Sequence, residues 1–344
     1  MERRDFMKAS AVAAATAIGS TSAQGQSSPG FPAPATIDEG GMKFRILGRT
    51  GERVSLAGLG GFHLAKPGGP DTAEAVRIVH AFLDAGGNFC DNCWDYNGGE
   101  SEVRLGRALE GGYRQRAFLM TKIDGRTAEA AMGQLETSLK RLKTDHLDLL
   151  QFHEVIRMDD PERIFAQGGA LEAMLRAREQ GKIRYIGFTG HKSPEIHAHM
   201  FEVAQQHNFK FDSVQMPVNI MDAHFDSFQK TIFPLAQRDE TGVLAMKTFG
   251  DDFILKSGVA QPIEMLHYSM SQPVSVVVAG CDKMEILEQT LNAVRSYQPM
   301  SREAQDALLA RSAAVARDGS TERYKVSQHF DGTMQHPQWL TQVG

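Results

Sequence analysis

LDLLQFH (residues 147–153), ALEAMLRAREQG (170–181) and IRYIGFTG (183–190) follow one another, and their succession decides the fold. The first and third are apolar runs of strand length. The second carries apolar residues at three- and four-residue spacing and closes on a glycine, as an amphipathic helix does. Strand, helix and strand in that order make the unit of a parallel sheet. The alternation extends in both directions, from Phe44 to about Ala293. Upstream lie RVSLAGLGGF (53–62), NFCD (88–91) and AFLMTK (117–122); downstream lie SVQMPVN (213–219), VLAMKTF (243–249) and VSVVVAG (274–280). Helical stretches such as AEAVRIVHAFLDAG (73–86) and AAMGQLETSLKRL (130–142) separate them. Eight strand–helix units predict an α/β fold, a (β/α)8 TIM barrel over 42–318, in preference to an open doubly wound sheet. MKFRILGRTGERVS (42–55) predicts an N-terminal β-hairpin plug under the floor, turning at GRTG. SREAQDALLARSAAVARDG (301–319) predicts a C-terminal extra helix, and 319–344 an irregular tail with aromatic residues.

A chain of 344 residues can bury a large core, and 42% hydrophobic with 23% charged residues is a globular composition. A formal net charge of -5 argues against a nucleic-acid partner and leaves a small molecule as the expected one. At the start, Arg3 and Arg4 precede the apolar run AVAAATAIGS, which predicts a twin-arginine signal peptide over 1–23 and a flexible leader over 24–41. The expectation is therefore a periplasmic protein handled by the twin-arginine export machinery. The apolar run is too short to span a bilayer, so no stable membrane span is expected. Three cysteines, Cys90, Cys93 and Cys281, are too few for a disulfide framework.

In a barrel of this kind the chemistry sits at the carboxyl ends of the strands. Asp91 ends the second strand, Tyr96 lies in the loop after it, Lys122 ends the third strand and His153 ends the fourth. A tyrosine of ordinary pKa, about 10, is a poor acid at neutral pH, and a neighbouring Lys122 would lower it. Asp91 would hold the lysine, and His153 would orient a substrate oxygen toward Tyr96. Such a site protonates an oxygen on which negative charge develops, as reduction of a carbonyl by hydride requires. Trp94 is expected in the wall of the substrate pocket and Asp95 as a loop cap. Cys90 should point into the barrel wall. The Cys90–Cys93 pair sits in a strand-to-loop turn, away from the helix start that favours a redox thiolate, and lacks two further ligands for zinc. No metal is expected. Two other readings stay open: a dinucleotide-binding sensor or scaffold with little turnover, and a metal-dependent hydrolase using His63, Asp91 and His153.

The chain resembles the aldo/keto reductase family. The resemblance rests on Asp91, Tyr96, Lys122 and His153 in order, with a five-residue step from Asp to Tyr, and on FRILGRTGERVSLAGLGG, LDLLQFH and GKIRYIGFTGH. It implies an NAD(P)-dependent oxidoreductase acting on an aldehyde or ketone, or on an alcohol in reverse, with the dinucleotide extended across the barrel mouth. The cofactor contacts it implies are Gly60, Gly61 and Phe62 after the first strand and Gln215 on the sixth. Thr189, Gly190 and His191 stand where relatives carry a Ser-Asn pair. Lys247 and Thr248 follow the seventh strand, and Gly280, Cys281, Asp282 and Lys283 form the turn at the adenosine phosphate. Ile286 and Thr290 differ from the family's usual polar residue and asparagine there. With Asp282 and Lys283 of opposite charge, NADP(H) is favoured only slightly over NAD(H).

Overall fold

The computed structural model describes residues 31–344; the twin-arginine segment lies outside the described residues. Three short strands come first, β1 (Ile37–Glu39), β2 (Met42–Ile46) and β3 (Arg53–Ser55), in an antiparallel sheet of order β1-β2-β3. The expected hairpin is thus β2 and β3, and a third strand is added from the segment expected to be a flexible leader. Gly40 and Gly41, at φ 62° and 89°, turn β1 into β2 in a two-residue loop that only positive-φ residues make easily. Asp38 pairs with Lys43 across it at 2.7 Å.

The barrel follows: β4 (Ala57–Gly60), β5 (Phe89–Asp91), β6 (Phe118–Ile123), β7 (Leu147–Phe152), β8 (Ile183–Thr189), β9 (Ser213–Pro217), β10 (Gly242–Met246) and β11 (Val276–Gly280). All eight pair in parallel and close with β11 beside β4, a (β/α)8 TIM barrel. The expected first strand, RVSLAGLGGF, divides between two sheets: Arg53–Ser55 belongs to the plug and Ala57–Gly60 to the barrel.

Alternation along the strands sorts the core. Phe89, Met120, Leu149, Leu244 and Val276 fill the barrel interior together with Leu47 and Val54 of the plug region. Their neighbours Cys90, Leu119, Leu150, Ala245 and Val277 face outward into the helix layer. Arg45 is fully buried and ties the plug to the barrel, donating to the carbonyls of Val274 (2.7 Å) and Met270 (2.8 Å) and to the Tyr297 hydroxyl (3.1 Å). Following the same alternation upward, Asp91, Lys122 and Gln151 face inward at the carboxyl end.

The extra helix spans Arg302–Ala316. The segment beyond it, expected to be irregular, contains short helical turns at Arg323–Val326, Gly332–Gln335 and Pro337–Leu340. It is fastened at several points. Lys325 is buried between Asp222 (2.8 Å) and Glu322 (2.9 Å). Asp331 accepts from Lys192 (2.7 Å) and faces His191 (3.1 Å), and the Glu154 carboxylate accepts from the backbone N–H groups of Gly332 and Thr333. Gln134 donates to the carbonyls of Trp339 and Gln342. Sequence patterning could not find these contacts, because all but Lys325–Glu322 join residues far apart in the chain. Among the described residues no helix is long and apolar enough to cross a membrane.

Candidate active site

The four residues singled out in the sequence meet at the carboxyl end of the barrel. Lys122, almost fully buried, forms an ion pair with Asp91, donates to the Asn92 carbonyl at 2.8 Å and to the Tyr96 hydroxyl oxygen at 3.3 Å. An ammonium has three protons, and these three acceptors take them. Tyr96 therefore receives from the lysine and keeps its own hydroxyl proton free to donate. Its position is set by the loop that follows. Asn97 adopts a left-handed conformation, φ 54°, and its amide donates to the Phe62 carbonyl and the Ser101 hydroxyl, both at 2.9 Å. The Phe62 ring packs edge-on against Tyr96 at 5.4 Å.

The lysine does not lower the tyrosine's pKa as expected. Burial pushes Tyr96 well above its ordinary value, and Asp91, Cys93, Asp95 and Glu154 add negative charge around it. Lys122's charge is matched at close range by Asp91, so burial decides the direction.

His153 presents its Nδ1 to a group of acceptors. Asp124 Oδ1 stands 3.0 Å away, Cys93 Sγ 3.3 Å and Asp95 Oδ1 3.6 Å. Burial alone would lower the imidazole's pKa, but Asp124 and Asp95 outweigh it and carry it up to about 9. Burial, then the charge of Asp124, raises the Asp95 carboxyl to about 7. Asp124 also accepts from the Trp94 indole N–H at 2.6 Å. The guanidinium of Arg126 clamps the strand ends from behind, bonding the carbonyls of Asp124, His153 and Glu154 and the carboxylate of Asp160.

Asp124 was not picked out in the sequence, although a signal was present. Residues 118, 120, 122 and 124 share one side by strand alternation, so Asp124 follows Lys122 into the mouth. Asp95 acts as a member of the His153 cluster; no side-chain cap from it is formed at the turn after it. Trp94, expected in the substrate wall, is 5% exposed and packs against Trp339 of the covering segment, with ring centroids 6.0 Å apart. Cys90 and Cys281 are buried, and burial pushes each thiol up to about 12.

The expected cofactor positions divide into three groups. Thr189 and Gln215, register partners on β8 and β9, each hold a buried oxygen with no hydrogen-bond partner, Oγ1 and Oε1. The Gln215 amide N–H group donates to Asp91 at 3.0 Å, which fixes where its Oε1 sits. A hydroxyl that can donate and a carbonyl that can accept, side by side, suit the carboxamide of a nicotinamide. The residues present therefore fit the dinucleotide that the fold implies. A Cβ at Gly61 would lie 2.6 Å from the Asp91 carbonyl, so crowding requires that glycine, and one at Gly60 would lie 3.2 Å from the Ala279 carbonyl, a tight approach. Gly190 is crowded by the Val155 carbonyl and Gly280 by the His63 ring. His191 is occupied by Asp331, and Lys247 lies under the rings of Tyr324 and Phe330, at 5.6 and 4.9 Å. Thr248 is buried and bonded to Ser269. Cys281 faces Thr290, Asp282 pairs with Lys66 at 2.6 Å, and Lys283 is exposed at the start of the helix Met284–Ser296.

A closed parallel barrel whose mouth gathers a buried Asp–Lys–Tyr chain and a carboxylate-backed histidine is an acid–base site built on strand ends. The family model for the aldo/keto reductase family matches residues 57–264, more than half of the chain, and the chain belongs to that family. It is 35% identical over 168 residues to an uncharacterized oxidoreductase, YrpG, of Bacillus subtilis, covering 42% of this chain and 48% of the relative. It is 31% identical over 158 residues to L-galactose dehydrogenase of Arabidopsis thaliana, covering 43% and 49%. The chain spans about half the length of these curated relatives. Among solved structures, the holo form of aldo-keto reductase AKR11C1 from Bacillus halodurans shares the fold with a TM-score of 0.64 and 24% identity, over 80% of this chain and all of that one.

Proposed function

We propose that the chain is an NAD(P)H-dependent oxidoreductase that reduces an aldehyde or ketone to an alcohol, or catalyses the reverse, with Tyr96 as the proton-transfer group. The observation that carries this reading is the Lys122 ammonium donating to the Tyr96 hydroxyl oxygen at 3.3 Å, which leaves the tyrosine its own proton to give. A bound nicotinamide supplies the hydride. Asp91 holds Lys122 through one carboxylate oxygen and Gln215 through the other, so the lysine and the carboxamide contact are positioned by one group. As charge develops on a substrate oxygen, Tyr96 gives up its proton and Lys122 steadies the phenolate that remains. In reverse the phenolate accepts the proton. His153, with Nδ1 directed at Asp124, leaves Nε2 to hydrogen-bond the substrate oxygen and hold it toward Tyr96.

Tyr96→Phe tests the assignment: kcat should fall by about 10²–10⁴ while dinucleotide binding persists. Retained turnover would remove Tyr96 from its role. The pairing of Asp282 with Lys66 leaves Lys283 to meet a 2′-phosphate, which supports a modest preference for NADP(H). Lys283→Ala should then weaken NADPH binding more than NADH binding, and equal weakening would refute it. The arginine pair and apolar run support export to the periplasm through the twin-arginine route. Cell fractionation of an Arg3→Lys, Arg4→Lys variant should find it retained in the cytoplasm; unchanged export would contradict the reading.

A further inference from the structure

The back of His153 is arranged for more than one hydrogen bond. Nδ1 can carry a single proton and serve one acceptor well. Asp124 at 3.0 Å takes that place. Asp95 Oδ1, at 3.6 Å, is beyond bonding distance and is a buried oxygen with no donor. Cys93 Sγ completes the group at 3.3 Å, and the ligand atoms of Cys93, Asp95 and His153 all lie within 4.8 Å of one another. A proton leaves Asp95 Oδ1 without a partner; a divalent cation held by Nδ1 and Cys93 would reach it.

The spacing agrees. Ligands held about 2.0–2.3 Å from a tetrahedral zinc stand roughly 3.3–3.7 Å apart. The sulfur and the Asp95 oxygen already have that separation from Nδ1, and all three ligand atoms lie within 4.8 Å of one another. Thiolate, imidazole and carboxylates are also the donor types that zinc takes, whereas magnesium and calcium favour oxygen alone. The surroundings are ordered: the Trp94 indole N–H holds Asp124, and the Arg126 guanidinium bonds the His153 carbonyl.

We propose that Cys93, Asp95 and His153 Nδ1 form a zinc-binding site behind the catalytic histidine, with Asp124 beside it. Three protein ligands stand on the Nδ1 side of the ring, next to Asp124, so the ion sits behind the imidazole and away from the substrate. Binding releases the protons of the Cys93 thiol, of His153 Nδ1 and of the Asp95 carboxyl where it is protonated to solvent, with no change of oxidation state. Nε2 stays free toward the mouth, so the ion occupies the back of the ring and not its working edge. The expectation of no metal was reached from the Cys90–Cys93 pair; the site uses Cys93 without Cys90, which faces the helix layer.

The test uses the purified mature protein, freed of metal by a chelator, with no dinucleotide or carbonyl present, so that its outcome is independent of turnover. Titration with Co2+ should give one saturable site with the strong visible bands of tetrahedral cobalt and a near-ultraviolet thiolate-to-metal band, and Zn2+ should displace it. Cys93→Ser should abolish the thiolate band while the circular dichroism stays unchanged. Asp95→Asn, which keeps size and shape, should weaken binding by at least about tenfold. Absence of saturable binding by the wild-type protein, an unchanged thiolate band in Cys93→Ser, or undiminished affinity in Asp95→Asn would each overturn the proposal.

Discussion

Lys325→Met would show whether the segment that covers the mouth is held mainly by its buried ion triad. The Lys325, Asp222 and Glu322 side chains have no exposed surface, and the ammonium bonds both carboxylates and the Phe225 carbonyl. Removing one partner of a buried pair costs about 3–5 kcal/mol, because the other is left charged and unpaired. Here the carboxylates keep other donors. Asp222 retains the backbone N–H groups of Phe228 and Gln229 and the Ser227 hydroxyl; Glu322 retains Asn219 and Tyr324. The lower end, about 3 kcal/mol, is therefore expected, which at 1.4 kcal/mol per decade makes the segment open about 100-fold more often. Limited proteolysis under conditions where opening is fast relative to cleavage reads that ratio, with cuts confined to 319–344. Glu322→Gln in the same chain should recover part of the loss, since it removes a charge from the pair left behind. Protection within about twofold of wild type, roughly 0.4 kcal/mol, would show that the triad does not hold the segment and that the reasoning is wrong.

Other predictions concern acid, the clamp and the barrel wall. Burial alone would raise the Asp331 carboxyl, but His191 and Lys192 outweigh it and hold it below its usual value. Its contribution is therefore complete above about pH 4 and lost as pH falls through the depressed value, so protection of the segment should decline in acid, and Asp331→Asn should flatten that decline. Arg126→Met leaves Asp160 buried without its guanidinium and should lower unfolding free energy in urea by about 3–5 kcal/mol. Gly187→Ala puts a methyl group against the Ser213 side chain and carbonyl on the paired strand β9, and should destabilise the barrel by about 1–3 kcal/mol in the same assay.

The barrel was legible because its strands are short apolar runs separated by 3.6-periodic stretches, and both patterns report burial directly. LDLLQFH and IRYIGFTG appear as β7 and β8 nearly to the residue. RVSLAGLGGF misled because its apolar run continues through the change from plug to barrel, and periodicity does not mark a change of sheet. Asp91, Lys122 and His153 were legible because strand ends fix where side chains go, and Tyr96 through its five-residue step from Asp91 in the family resemblance. Asp95 was not, since a loop has no period from which to infer a direction. Thr333 and Glu154, or Trp339 and Trp94, are joined only by the folded path of the chain, so no local pattern could reveal them. The direction of the Tyr96 shift was also out of reach, because burial competes with a neighbouring charge and burial is known only once the chain has folded.

All three thiols are enclosed, and core packing alone holds Cys90 and Cys281 in the unreactive, protonated form. A thiol reagent added to the native protein therefore has nothing to modify until the structure opens. The rate at which Cys90 and Cys281 become labelled measures how often the barrel wall itself comes apart, and the chain carries this clock without an introduced probe.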